Sequence, residues 1–312
     1  MTEMFSLAFM QRALIAAALI GITAPAVGIY LVQRRQALMG DGIGHVALTG
    51  VGLGFIFQTS PVWMAVLVCI LAAIVMELVR ARGNNRGDIA LAMLFYGGMA
   101  CGRMLISKSP AASGASGSLD SYLWGSILAV DTADLVTIAA LGAIVVAVTL
   151  GLRRQLFAVC QDEEFARVTG IPVRLLNLLL AVMAAVTVTV AMRVVGLLLV
   201  SAMMVVPVAA AQLLTRSFVA TQALSIGLGV AVSLGGVAGS YQFDVPPGSA
   251  IVLLAIAVFA VFSAIAAPLA GLRHRSAAGA GGTAGPGVCD VVLPDQDGSR
   301  AGDPLGSPGL AQ

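Results

Sequence analysis

The stretch FMQRALIAAALIGITAPAVGIYLV, residues 9–32, decides the class of fold. After Arg12 it carries no charge as far as Val32. A helix rises about 1.5 Å per residue, and a hydrocarbon core of about 30 Å needs about 20 residues. The run therefore spans a bilayer. It exceeds the roughly 7–15 residues of a signal-peptide core. The residues before it include Glu3 and Arg12 instead of a positive leader, so it reads as a retained first span.

The same ruler, carried outward, marks nine candidate spans: 9–32, 42–58, 61–79, 88–107, 131–151, 172–191, 194–214, 218–240 and 247–271. The second is short, and only Met192 and Arg193 separate the sixth from the seventh, so the count is eight or nine. None shows the alternation of barrel strands, which leaves helices. The fold class is an all-α polytopic membrane protein.

Composition agrees. Of 312 residues, 59% are hydrophobic and 10% charged, with a mean hydropathy of +0.99. A soluble domain carries roughly 25% charge. A globule of this composition has too little polar surface to face water. That excludes a soluble enzyme, a secreted disulfide scaffold, a disordered chain and a nucleic-acid binder.

The arginines set an orientation. One alternating set of loops holds Arg34, Arg35, Arg80, Arg82, Arg86, Arg153, Arg154, Arg167, Arg174, Arg216, Arg273 and Arg275. The opposite side and the spans hold Arg12, Arg103, Lys108 and Arg193. The positive-inside bias puts the N-terminus outside and the C-terminus in the cytoplasm. Residues 152–171 then form a cytoplasmic loop and 108–130 an external one. Residues 1–275 read as one membrane domain. Residues 276–312, rich in Gly, Ala and Pro, read as a disordered cytoplasmic tail.

Cys69, Cys101, Cys160 and Cys289 form no CxxC, so zinc-ribbon and redox chemistry are not indicated. Gly40/Gly44, Gly50/Gly54 and Gly235/Gly239 stand at GxxxG spacing, which suits close helix contact in lipid or the general glycine content of membrane helices.

Few residues can carry chemistry. There is no GxxxxGK[ST] loop, so ATP binding of that kind would need another subunit. GxSxG and HExxH are also absent. In RRQALMGDGIGHVALTGVGLG, 34–54, Asp41 and His45 are spaced i,i+4 and share a helix face, which Thr49 extends by one turn. Carboxylate plus imidazole suits a first-row divalent cation, and a transport path needs only weak binding. The plainer alternative is a helix cap at Asp41 with a hydrogen-bonded structural His45. In CQDEEFARVTGIP, 160–172, Asp162, Glu163 and Glu164 open a short helix that Gly170 ends. Glu164, Ala166 and Gly170 meet the pattern E-x-A-x-x-x-G. A docking segment and a solvated connector both fit. Arg193 and Asp244 fall near the external face, where they would pair, contact a soluble partner or stand as ordinary interfacial charges.

Taken together, these segments resemble the permease subunits of the zinc/manganese/iron class of bacterial ABC importers. The matching stretches are 34–54, SYLWGSILAVD (121–131), DEEFARVTGIPV (162–173), RVVGLLLVSAMMVVPVAAAQLLTR (193–216) and YQFDVPPGSAIVL (241–253). Trp124 stands where the family often has Phe. The resemblance implies a homodimer in the bacterial plasma membrane around a central path. It implies a cytoplasmic ATPase on each protomer and an extracytoplasmic metal-binding protein. It places Asp41 and His45 on the metal path, and Asp162, Glu163, Glu164, Ala166 and Gly170 in the ATPase-coupling segment. The chain would be a transport subunit, not an enzyme, with no cofactor; the divalent metal is cargo. The competing readings are an ion-gradient transporter, a structural scaffold and a siderophore-type ABC permease. The second-span motif argues for free metal.

Overall fold

The computed structural model describes residues 8–81, 86–109, 122–126, 131–197 and 199–280. Eleven helices stand among them: α1 (Ala8–Gln33), α2 (Met39–Ile56), α3 (Pro61–Ala81), α4 (Arg86–Lys108), α5 (Thr132–Gly151), α6 (Arg153–Gln161), α7 (Glu163–Val168), α8 (Val173–Ala191), α9 (Val200–Leu214), α10 (Phe218–Phe243) and α11 (Pro247–Ala280). No strand occurs among the described residues. The chain divides into two units, Met1–Ala267 and Pro268–Gln312. The first is the bundle described below. In the second, 268–280 is helical, and the tail expected from 276 lies outside the described residues from 281 on.

Eight of these helices are long and apolar enough to cross a membrane. The expected span 194–214 is instead α9, fifteen residues beginning at Val200. At about 1.5 Å per residue that is about 22 Å, short of a bilayer core. Its start is displaced because Gly196 adopts a φ of +90°, a conformation that interrupts a helix.

Helices α1, α2 and α8 are the most buried, while α4, α5 and α11 leave most of their surface open. Buried side chains such as Ile20, Tyr30, Ile43, Leu180 and Met203 form one core, in which the Tyr30 hydroxyl donates to the Thr149 carbonyl at 3.1 Å. Helix α1 is central, packing on α5, α8, α9 and α10. Its crossings are made by glycines. A Cβ on Gly21 would lie 2.8 Å from the Gly229 carbonyl oxygen, and one on Gly28 would lie 2.7 Å from the Met204 carbonyl carbon. Pro25, which has no N–H to give the Gly21 carbonyl, sits at the same crossing.

The GxxxG expectations divide. A Cβ on Gly54 would meet the Pro61 Cα at 2.7 Å, and one on Gly50 would be closer still to Ala65, so that pair does bring α2 onto α3. Gly40 and Gly44 have ordinary space, 3.4 Å or more to the nearest atom. Gly235 touches α11 and Gly239 nothing, so that pair is not a joint motif. Replacing Gly28 by Leu forces α1 off α9 through rigid backbone, with no flexible side chain to give way. The expected outcome is loss of extractable, monodisperse protein, whereas Gly239→Leu leaves size-exclusion profiles unchanged.

Candidate functional site

Asp41 and His45 both stand on α2, in its first and second turns. The cap of α2 is Leu38, which offers no side-chain bond, so Asp41 is not the helix cap. Its carboxylate instead crosses to α9, where Oδ1 accepts from the Ser201 hydroxyl at 2.5 Å. Oδ2 has no hydrogen-bond partner among the described residues. His45 is 7% exposed, and its Nδ1 is buried without a hydrogen-bond partner. That removes the bonded structural histidine as an account of this nitrogen. An orphaned ring nitrogen in an apolar bundle costs free energy, of order 1–3 kcal/mol, unless something else satisfies it. The Phe95 ring stands edge-on to His45 with centroids 4.1 Å apart.

Thr49, on the same face, is accounted for structurally: its hydroxyl donates to the Gly98 carbonyl at 2.8 Å. Gly98 lets α4 approach so closely that a Cβ there would lie 2.9 Å from the His45 carbonyl. A cavity of about 400 Å³ adjoins Asp41, lined also by Leu38, Leu91, Ala92, Phe95 and Tyr96. It opens on the exposed face of α4, where Tyr96 is 67% accessible. No group of three or more His, Cys, Asp or Glu side chains gathers among the described residues. Among the described residues Asp41 and His45 are therefore an open pair and not part of a closed cage.

At the opposite end of the bundle, residues 122–126 are stapled to 193–197. The Leu197 N–H donates to the Tyr122 carbonyl at 2.9 Å. Gly125 and Gly196, at φ of +78° and +90°, permit this approach. A Cβ on Gly248 would lie 2.8 Å from the Trp124 carbonyl oxygen, so the stretches 121–131, 193–216 and 241–253 meet here. The remainder of the external loop 108–130 lies outside the described residues apart from its first two positions. Arg193 pairs with Asp134 at 2.5 Å and donates to the Tyr122 hydroxyl at 2.9 Å. It does not pair with Asp244, which caps α10 in a left-handed conformation. The sequence offered Asp244 because it shares the external side; Asp134 sits in the first turn of α5, where the packing of α5 brings it to the arginine.

The segment 152–171 is two helices, α6 and α7. Asp162 caps α7, its carboxylate accepting from the Phe165 N–H at 2.9 Å. Gly170, φ +82°, ends it: Gly170 N–H donates to the Arg167 carbonyl and Ile171 N–H to the Ala166 carbonyl, the paired bonds of a Schellman motif. Ala166 is fully buried and seats the helix. Glu163 is bound on both sides, to Arg34 at 3.2 Å and Arg167 at 3.2 Å. Glu164 is exposed. Phe165 and Val168, 65% and 87% accessible, form an outward apolar pair that the sequence reading did not single out. Burial pushes the nearby Cys160 thiol up to about 11, against a smaller pull from Arg34, so it is not a thiolate at neutral pH.

A bundle with eight helices long and apolar enough to cross a membrane, a carboxylate and an imidazole one turn apart on α2, and an ordered helical segment at one end, is a membrane permease in class. The chain belongs to the ABC 3 transport family, whose profile matches residues 6–266. It is 32% identical over 259 residues to the manganese transport system membrane protein MntC of Halalkalibacterium halodurans, covering 83% of this chain and 88% of that protein. It is 31% identical over 253 residues to a probable iron transport system membrane protein of Haemophilus influenzae, covering 81% of this chain and 92% of that one. Among solved structures it resembles PsaBC from Streptococcus pneumoniae in complex with Fab, with a TM-score of 0.75 and 32% identity, over 84% of this chain and 94% of that one.

Proposed function

We propose that this chain is the membrane subunit of an ATP-driven importer that carries a divalent first-row transition metal, Mn²⁺, Zn²⁺ or Fe²⁺, into the cytoplasm. The observation that carries the reading is the Asp41–His45 pair: a carboxylate anchored by Ser201, an unpartnered imidazole nitrogen, and an open cavity beside the carboxylate. Oxygen and nitrogen donors of this kind suit manganese, iron and zinc. Two donors bind an ion loosely enough to release it. A second copy facing the same path would bring the number to four and hold the ion about a two-fold axis.

Energy comes from a separate cytoplasmic ATPase, since the chain has no phosphate-cradling loop. It docks on α7, with Glu164, Phe165 and Val168 as the contact face. Asp162, Ala166 and Gly170 hold the shape of α7, and Glu163 joins it to α1. An extracytoplasmic protein delivers the metal at the Arg193–Asp134 end. The arginine-rich end, with the C-terminus, faces the cytoplasm of the bacterial cell, and the N-terminus lies outside.

Element-resolved uptake tests this. Cellular manganese, zinc and iron are measured under metal limitation, with and without the chain. The expected result is a selective fall in one metal when the chain is removed. Unchanged levels of all three would refute the metal-import reading and leave the membrane fold standing.

A further inference from the structure

A second cavity, of about 540 Å³, lies between the end of α3, helix α7 and the start of α8, away from the Asp41 pair. Arg80, Arg167 and Arg174 line it, with Glu77 and Glu163. The glutamates offset Arg80 and Arg167 but leave Arg174 unmatched. Glu163 is held by the buried Arg34 guanidinium as well as by Arg167, and Glu77 lies 3.9 Å from Arg80. Three lining arginines thus face two carboxylates, one of which, Glu163, is shared with Arg34. Arg174 makes no ion pair or hydrogen bond among the described residues. The charge left over calls for an anion.

Part of the wall is apolar. Leu78, Leu175 and Leu178 line the same cavity, and the first two are more than half exposed. On α3 the exposed residues Leu67, Leu71, Val75 and Leu78 form a stripe that ends at the cavity. Their spacing of four, four and three residues keeps them on one helix face. The cavity stands at the ends of two candidate spans, where a bilayer's headgroups lie. Arginine forks recognise phosphate oxygens in pairs, and basic pockets between membrane helices take anionic headgroups.

We propose that this cavity binds the phosphate headgroup of an anionic phospholipid, with an acyl chain along the Leu67–Leu78 stripe. A free phosphate satisfies the arginines but leaves the stripe uncovered, so the lipid is the ligand that both halves of the site describe. Because Glu163 and Arg167 of α7 form one wall, the bound headgroup braces that helix; this last consequence rests on the docking role given to α7 above.

The test needs neither metal nor ATPase. The full chain is reconstituted in nanodiscs containing equal phosphatidylglycerol and phosphatidylethanolamine, and retained lipid is counted by native mass spectrometry. Wild type is expected to retain phosphatidylglycerol preferentially. Arg80→Gln with Arg174→Gln lowers that retention by about 25-fold, since each surface arginine adds about a factor of five to anionic-lipid attraction. Arg154→Gln, outside the cavity, does not. Equal retention of the two lipids by wild type overturns the proposal, and requires no variant to fold. Unchanged retention in the double variant overturns the location. Displacement of the lipid by inorganic phosphate at millimolar level shows a free-anion site and overturns the lipid assignment.

Discussion

Replacing His45 by alanine is expected to lower metal uptake at least tenfold while the protein still inserts and purifies. Losing even an outer partner of a metal ligand costs roughly 10–100-fold, and a ligand itself no less. The fold tolerates the change because the imidazole contributes no hydrogen bond at Nδ1; what is lost is its packing on Phe95. The expected stability cost is of order 1–3 kcal/mol. Asp41→Asn separates charge from shape. The amide oxygen still accepts from Ser201, so the α2–α9 contact persists, yet the negative charge is gone. Uptake of radioactive manganese and membrane abundance by immunoblot are read together. Uptake at the wild-type rate by His45→Ala, at equal abundance, would place the metal station elsewhere.

The second large effect is at Arg34. Its side chain is 7% exposed and donates to Asn177 Oδ1 at 2.7 Å and to Glu163 Oε2 at 3.2 Å. One guanidinium thus ties the end of α1 to α8 and to α7. It also sits in the short connection that leads from α1 to α2 and Asp41. Arg34→Ala leaves Glu163 beside a vacancy and Asn177 without its donor. Breaking a buried ion pair costs about 3–5 kcal/mol; with Glu163 half exposed, about 1–3 kcal/mol is the better scale. Uptake is expected to fall tenfold or more, because α7 loses its fixed relation to α1. Arg34→Lys recovers only part, since one ammonium cannot span both acceptors in the fork geometry. Thermal unfolding of the purified chain reads the stability change and uptake reads the coupling. Wild-type values for both in Arg34→Ala would show that the network does nothing.

The boundaries of the spans were legible because each is a run of apolar residues long enough for a bilayer, and length alone settles most of them. Val173–Ala191 and Phe218–Phe243 fall close to the runs read as 172–191 and 218–240. The acidic opening at Asp162, Glu163 and Glu164 and the Gly170 stop were legible for a similar reason, since each acts within one helical turn of itself. The span read as 194–214 failed because hydropathy does not register a backbone conformation, and the φ of Gly196 shortens the helix. The pair Asp41 and His45 was visible at i,i+4, but Ser201 is 160 residues away and nothing local points to it.

Sequence by itself therefore determined that this protein is a bundle of membrane helices, roughly where most of them begin, and that Asp41 and His45 share one helix face. Those properties depend on apolar length and helical period, which are local. The tertiary structure alone decided which partner each polar group takes. It gave Arg193 to Asp134 and not to Asp244, Glu163 to Arg34, and Asp41 to Ser201. It also decided that Gly21, Gly28 and Gly229, none at GxxxG spacing, are the closest crossings of α1. In an apolar bundle each polar group must find its partner across helices, and which helices adjoin depends on packing, not on order along the chain.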